Sequence, residues 1–143
     1  MAIRNPFTNK EQSETATILV VDDEVPVRTM MAKMLQRSGY TTLEAPGGKE
    51  ALEICEQHIG IHLLITDLTM PGLNGFDLAD QVGERWPELK ILFMSGDANG
   101  YGLRRRIAER PFLGKPFTAD ELREKVRELV GNGAPSSGYL SAP

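Results

Sequence analysis

The stretch ILVVDDEVPVR, residues 18–28, runs four apolar residues directly into three consecutive carboxylates, Asp22, Asp23 and Glu24. An unbroken apolar run of this length indicates a strand that is buried on both faces. Pro26 suits the first turn of a helix that follows. The stretch therefore predicts a strand, an acidic turn and a helix. Capping of that helix is the ordinary role for an acidic residue here, but three adjacent carboxylates repel one another.

The rest of the chain repeats the same alternation of short apolar runs and helical segments. With the first run at 17–21, strands are predicted at 41–45, 62–66, 91–94 and 111–114. Gly39 and Gly131 stand where helices should end. Apolar residues in the helical segments recur at the spacing of one helix face: Val27, Met30, Met31, Met34 and Leu35; Leu52, Cys55 and Ile59; Leu78, Val82 and Trp86; Leu122, Val126 and Leu129.

Five strands alternating with helices predict an α/β fold, a doubly wound (βα)5 with a five-stranded parallel sheet covered on both faces. In such sheets the ligand site lies beyond the carboxyl ends of the strands, where the strand order reverses. The residues that directly follow each apolar run are therefore the candidates for function.

Polar side chains follow four of the five predicted strands. Asp22 and Asp23 follow the first, Asp67 the third, Ser95 the fourth and Lys115 the fifth. Each residue alone has a commoner role, as a helix cap or a surface lysine. Together, three carboxylates at one sheet edge would repel unless a cation lay among them. A hard divalent cation such as Mg²⁺, with oxygen ligands, is the natural complement.

This set of groups suits phosphoryl transfer. In that reaction charge develops on the equatorial oxygens of the transferred group, and catalysis is mostly positioning and electrostatics. Asp67 would be the nucleophile and would form an acyl phosphate. The metal, Lys115 and Ser95 would each hold one phosphoryl oxygen. Asn74, in the turn MPGLNG (70–75), is placed to cap the next helix.

At these residues the sequence resembles the receiver domain of two-component response regulators, a chemotaxis-regulator-like family. The resemblance rests on the acidic pair, TDLTMPGLNG (66–75), the hydroxyl after the fourth strand and the triplet KPF (115–117), in that order. It implies a flavodoxin-like fold with strand order 2-1-3-4-5. It also implies a phosphorelay module that catalyses only its own phosphorylation and dephosphorylation, rather than an enzyme.

The resemblance assigns roles to individual residues. Asp67 matches the phosphoacceptor, and Lys115 and Ser95 match the conserved lysine and hydroxyl. The Mg²⁺ ligands would be Asp22, Asp23, Asp67 and the backbone carbonyl of Thr69, with Mn²⁺ as a substitute metal. Phe112 matches the switch aromatic but lacks the usual hydroxyl, so an ordinary core aromatic is the other interpretation. Thr69 and Asp97 match positions that tune phosphoryl hydrolysis, and the Lys115–Pro116 bond is often cis in the family.

In the family the signalling surface is formed by the fourth helix, the fifth strand and the fifth helix. A dimer that forms through this surface is one open possibility. Gly100 and Gly102 weaken the start of the fourth helix, so we predict a short helix at 103–109 that phosphorylation orders. Arg104, Arg105 and Arg106 are interpreted as a solvated helix face, with an acidic docking partner as the alternative.

Length and composition predict one domain. The 143 residues divide into a flexible lead (1–15), the receiver domain (16–131) and a disordered tail or linker (132–143), where Gly, Pro and Ser are abundant. The net charge of −4 gives no reason to expect nucleic acid. No apolar run approaches a membrane span, and a single cysteine fits a reducing compartment. We expect a cytoplasmic protein.

Three other interpretations of the sequence are possible. A dinucleotide-binding domain needs a glycine-rich phosphate loop, and the sequence has none. A haloacid-dehalogenase-type phosphatase places its nucleophile after the first strand in a DxD arrangement. A degenerate receiver, acting only as an interaction module, would not need the complete residue set. The partner is expected to be a sensor histidine kinase if the regulator stands alone, or a histidine phosphotransferase if the domain is the C-terminal receiver of a hybrid histidine kinase.

Overall fold

The computed structural model describes residues 15–96 and 110–131, and these form a parallel sheet with helices on both faces. The strands are β1 (Thr17–Val21), β2 (Thr41–Ala45), β3 (Ile61–Asp67), β4 (Lys90–Ser95) and β5 (Phe112–Gly114). The helices of the described residues are α1 (Val25–Arg37), α2 (Gly48–Gln57), α3 (Gly75–Arg85) and α4 (Ala119–Val130). The strand order is β2-β1-β3-β4-β5. The predicted flavodoxin-like doubly wound fold is confirmed.

The apolar residues of β1 divide between the two faces of the sheet. Ile18 and Val20 are fully buried in a core with residues of α1 and α4, while Leu19 and Val21 are fully buried in a core with residues of α2 and α3. Alternate residues of a strand point to opposite faces, so a central strand covered by helices on both sides must be apolar throughout. The unbroken apolar run is the direct consequence.

Local signals set several helix ends. Asn74 caps α3, since its Oδ1 accepts a hydrogen bond from the Asp77 backbone N–H at 2.9 Å. Thr118 and Glu121 form a reciprocal capping box at the start of α4. Gly39 follows α1 with φ of 96°, and Gly131 ends α4 with φ of 77°. Both angles lie in the left-handed region that glycine adopts without strain.

Two predicted core positions are wrong. Met30 lies in α1 but is 44% exposed, because the sheet contacts the neighbouring stripe that contains Met31 and Leu35. Ile59 is fully exposed, because α2 ends at Gln57 and the helical spacing no longer applies beyond that residue. Cys55, on the same predicted face as Ile59, is buried.

Some predictions fall outside the described residues: the lead up to residue 14, the tail from 132, the helix at 103–109, Arg104–Arg106 and Asp97. They stay predictions. In the ranges 15–96 and 110–131, no helix is long and apolar enough to cross a membrane.

Candidate functional site

Three carboxylates meet at the carboxyl edge of the sheet, beside the central strands. Asp22 directly follows β1, Asp23 is the next residue, and Asp67 is the last residue of β3. Each offers a carboxylate oxygen, and these three oxygens lie within 4.8 Å of one another. β1 and β3 are adjacent and parallel, so their ends arrive at the same edge together. The sequence therefore predicted the convergence correctly.

Lys115, directly after β5, bridges two of these carboxylates. Its Nζ donates hydrogen bonds to Asp67 Oδ2 at 2.9 Å and to Asp22 Oδ2 at 3.3 Å. The Lys115 side chain is 20% exposed, the Asp67 side chain 10%, and that of Asp22 is fully buried. This edge thus holds three carboxylates and one ammonium, which contacts two of them, and the remaining negative charge favours a cation. The Lys115–Pro116 peptide bond is cis.

The electrostatics of Lys115 reflect two opposing effects. Burial alone would lower the pKa of its ammonium, because a low dielectric disfavours the charged form. The hydrogen bond to Asp67, the charge of Asp67 and the contacts with Asp22 together outweigh burial, and the pKa of Lys115 is raised. Lys115 is therefore a permanent positive charge at neutral pH.

The carboxylate of Asp22 is held on both oxygens. Its Oδ1 accepts a hydrogen bond from the Glu24 backbone N–H at 2.9 Å, and its Oδ2 accepts the bond from Lys115. Glu24 is the residue that precedes α1, and its side chain makes no capping hydrogen bond. The side chain of Glu24 therefore does not cap the helix, while Asp22 faces the cluster and holds the turn through the Glu24 N–H.

The remaining predicted site residues differ in their placement. Ser95 ends β4 and is 1% exposed, and its backbone carbonyl accepts a hydrogen bond from the Lys115 N–H at 2.9 Å. Thr69 is exposed, and its backbone N–H donates to Asp67 Oδ1 at 3.2 Å. Phe112 is partly buried against an apolar cluster. The structure thus brings Ser95 and Thr69 to the same edge as the carboxylates, while Asp97 lies outside the described residues.

The two histidines of the chain lie away from this edge. His58 and His62 line a groove at the opposite, amino edge of the sheet. His62 occupies a bulge where β3 pairs with β1, and its Nδ1 accepts a hydrogen bond from the Thr17 backbone N–H at 3.0 Å. Its role is therefore structural.

Sequence reasoning missed two residues that shape the site. Gly75 opens α3, and a Cβ there would lie 2.6 Å from the backbone carbonyl oxygen of Asp67. Arg28, in α1, donates a hydrogen bond from Nη1 to the backbone carbonyl of Asp22 at 2.8 Å. An arginine on a helix is ordinarily a surface residue, so the only available signal was its position one turn after the acidic stretch.

Comparison with known proteins agrees with this arrangement. The family profile described as "Response regulator receiver domain" matches residues 18–127. Sensor kinase CckA of Brucella abortus is 37% identical over 121 residues, which are 82% of this chain and 13% of CckA. Two-component response regulator ORR3 of Oryza sativa subsp. indica is 35% identical over 117 residues, which are 79% of this chain and 89% of ORR3. The chain thus spans a small part of one relative and most of the other.

A solved structure gives the same picture. Response regulator protein TrrA of Thermotoga maritima, in complex with Mg²⁺ and BeF, is 32% identical, with a TM-score of 0.72. The match covers 80% of this chain and 99% of that one.

Proposed function

We propose that this chain, which belongs to the response regulator receiver domain family, accepts a phosphoryl group on Asp67 from a phosphohistidine donor and thereby passes a signal. The family membership makes it a module of two-component signal transduction. The observation that carries the proposal for Asp67 is the bridge from Lys115, which has its ammonium 2.9 Å from one Asp67 oxygen and 3.3 Å from an Asp22 oxygen.

The chemistry balances with the groups at hand. A carboxylate oxygen of Asp67 attacks phosphorus, an O–P bond forms, and the P–N bond to the donor imidazole breaks. The imidazole leaves with the bonding electrons and takes up a proton from water. The product is an acyl phosphate. Because the developing charge lies on the phosphoryl oxygens, groups that hold those oxygens lower the barrier.

The side chains of this edge divide that task. Lys115 is already a donor to Asp67, and it would turn to a phosphoryl oxygen when Asp67 is modified. Ser95, at the end of β4, would donate its hydroxyl to a second oxygen. Thr69 would border the third side, and the size of its side chain, with that of Asp97, would set how fast water removes the phosphoryl group.

The donor set fits a hard divalent cation. Asp22, Asp23 and Asp67 supply carboxylate oxygens within 4.8 Å of one another, and the Thr69 carbonyl would complete the protein ligands. Carboxylate and carbonyl oxygens are the ligands that Mg²⁺ prefers, and Mn²⁺ accepts the same set. When bound, the metal would neutralise phosphoryl charge next to the nucleophile.

The output would pass from this edge to the surface beyond β4 and β5. Phe112 packs against Phe93 and its neighbours, partly buried. Because Phe112 has no hydroxyl, its inward and outward rotamers would differ in burial and not in hydrogen bonding. A change there would alter the surface of β5, α4 and the predicted helix at 103–109, through which a dimer or another partner would be recognised.

The donor would be a sensor histidine kinase or a histidine phosphotransferase, and the chain would act in the cytoplasm. The relatives support both settings, since one match is a small part of a sensor kinase and the other is nearly a whole response regulator.

The test is incubation with a small phosphodonor and Mg²⁺, read by intact mass. We expect one phosphoryl increment on the wild type, and none on Asp67→Asn or in a metal-free sample. An increment that persists in Asp67→Asn would show a different acceptor. No increment with any donor would favour a degenerate receiver that acts as an interaction module without phosphorylation.

A further inference from the structure

Arg28 joins α1 to the acidic turn by one hydrogen bond and to β2 by another. Its Nη1 donates to the backbone carbonyl of Asp22 at 2.8 Å, and its Nε donates to Glu44 Oε1 at 3.1 Å. The Arg28 side chain is 14% exposed and that of Glu44 is 39% exposed. The planar guanidinium presents its donors in a fixed fork, so two acceptors in different directions hold it in one orientation.

The first of these bonds acts on the peptide unit between Asp22 and Asp23. The peptide group is planar, so fixing the carbonyl oxygen of Asp22 also fixes the plane from which the Asp23 backbone leaves. On the other side of Asp22, its N–H donates to the Ala45 carbonyl at 3.2 Å. The backbone of Asp22 is thus held by β2 on one side and by α1 on the other.

Asp23 has no comparable support of its own. Its side chain is exposed, and within the described ranges its carboxylate forms no hydrogen bond or ion pair. Asp22, in contrast, has both carboxylate oxygens occupied. The position of the Asp23 carboxylate therefore depends on how firmly the preceding peptide unit is held.

We propose that Arg28 is a positioning residue for the metal site, and that it aims the Asp23 carboxylate at the cation by holding the Asp22 carbonyl. The inference rests on the proposed function, because it takes Asp22, Asp23 and Asp67 as the site of a divalent cation. Arg28 itself contacts neither the metal ligands' carboxylates nor the reacting atoms. Its action passes through one peptide plane.

Electrostatics alone predicts the opposite effect. Arg28 carries a positive charge near the site, and removing a nearby positive charge should strengthen the binding of a cation. Glu44 forms an ion pair with Arg28 and offsets that charge. The direction in which metal affinity changes therefore separates positioning from charge.

The experiment measures Mg²⁺ binding by calorimetry for four proteins: the wild type, Arg28→Met, Glu44→Gln and the double variant. Methionine keeps much of the apolar stem and removes the donors and the charge. The double variant has the same net charge as the wild type, because it loses one charge of each sign. Circular dichroism and thermal unfolding without metal check that each variant is folded.

We expect Arg28→Met to weaken Mg²⁺ binding about tenfold, as loss of a group that orients a metal ligand typically does. The double variant should bind Mg²⁺ as weakly as Arg28→Met, because it also lacks the hydrogen bond to the Asp22 carbonyl. Glu44→Gln should change affinity by less than about threefold, because that carboxylate is part-exposed and its charge is screened. Arg28→Lys keeps the charge but replaces the planar fork with a single ammonium, so its affinity should fall between those of the wild type and Arg28→Met. This variant replaces Arg28→Met in the experiment if Arg28→Met does not fold.

Equal or tighter Mg²⁺ binding by Arg28→Met, or wild-type affinity in the double variant, would overturn the positioning role. Asp23→Asn is the separate check on the metal site. If the wild type binds no Mg²⁺, or if Asp23→Asn binds it as tightly, then the proposed site is wrong and the role of Arg28 falls with it.

Discussion

Lys115→Met tests whether the bridge between the carboxylates supports the fold. The substitution keeps most of the side-chain length and removes the ammonium that lies 2.9 Å from Asp67 and 3.3 Å from Asp22. The Asp22 side chain is fully buried and that of Asp67 nearly so, which leaves both carboxylates without their countercharge. We expect the metal-free protein to lose stability and to regain part of it when Mg²⁺ is added.

The magnitude follows from burial. Removing one partner of a buried ion pair costs about 3–5 kcal/mol, because the other charge stays buried and unpaired. Lys115 is 20% exposed, so water offsets part of the loss, and we take the lower end, about 3 kcal/mol. That is a large share of the roughly 5–15 kcal/mol by which domains are stable.

Urea unfolding at pH 7 in a chelator, followed by circular dichroism, measures the loss. Lys90→Met is the matched control, because Lys90 is an exposed lysine at the opposite end of the sheet, at the start of β4. A second titration in saturating Mg²⁺ should narrow the gap between Lys115→Met and the wild type, since the metal supplies the missing positive charge. A loss no larger than that of Lys90→Met, or a gap that Mg²⁺ leaves unchanged, would refute the reasoning.

Three further predictions concern the same edge of the sheet. The pKa of Lys115 is raised in the folded protein. The stability that its charge contributes is therefore complete below the unfolded pKa of about 10.4 and is lost as the pH rises through the folded pKa. The difference in unfolding free energy between wild type and Lys115→Met should shrink as the pH rises through the folded pKa. Asp23→Asn should stabilise the metal-free protein by about 0.5 kcal/mol by relieving repulsion at an exposed position, and should abolish the rise in melting temperature that Mg²⁺ gives the wild type. Gly75→Ala should cost about 1–3 kcal/mol in unfolding free energy, because its Cβ would lie 2.6 Å from the Asp67 carbonyl oxygen. Gly83→Ala, in the same helix with open space at its Cβ, should instead gain about 0.5–1 kcal/mol, and equal effects of the two substitutions would contradict the steric argument.

The fold could be predicted because hydrophobic burial dictates its pattern. A strand covered on both faces must be apolar at every position, and β1 begins and ends at the residues predicted from that rule. The edge strand β2 also begins and ends at the predicted residues. β3 and β4 each extend one residue further at both ends than predicted. The added residues include Asp67 and Ser95, polar residues that a rule based on hydrophobicity assigns to the following turn.

The convergence of the candidate site could be predicted because parallel strands end at a common edge. That topology brings Asp22, Asp67, Ser95 and Lys115 together whatever the details of packing. The contact of Arg28 with the Asp22 carbonyl could not be predicted, because it depends on where one side chain of α1 meets the backbone. The bulge at His62 could not be predicted either. Thr17 pairs with Ile61 and Ile18 with Leu63, and the sequence of β3 gives no sign that this pairing skips His62.

The two adjacent aspartates of the acidic turn therefore differ in burial and in hydrogen bonding. Asp22 is buried, with its carboxylate, its N–H and its carbonyl all hydrogen-bonded, so it belongs to the framework as much as to the site. Asp23 is exposed, so it can approach a cation without first giving up a protein partner. A cation bound by both aspartates would have one ligand that the protein holds rigidly, Asp22, and one that has no protein partner to give up, Asp23. The repulsion between the two carboxylates is tolerated because Lys115 neutralises the buried one and the backbone N–H of Glu24 holds it, which leaves the exposed one available to a cation.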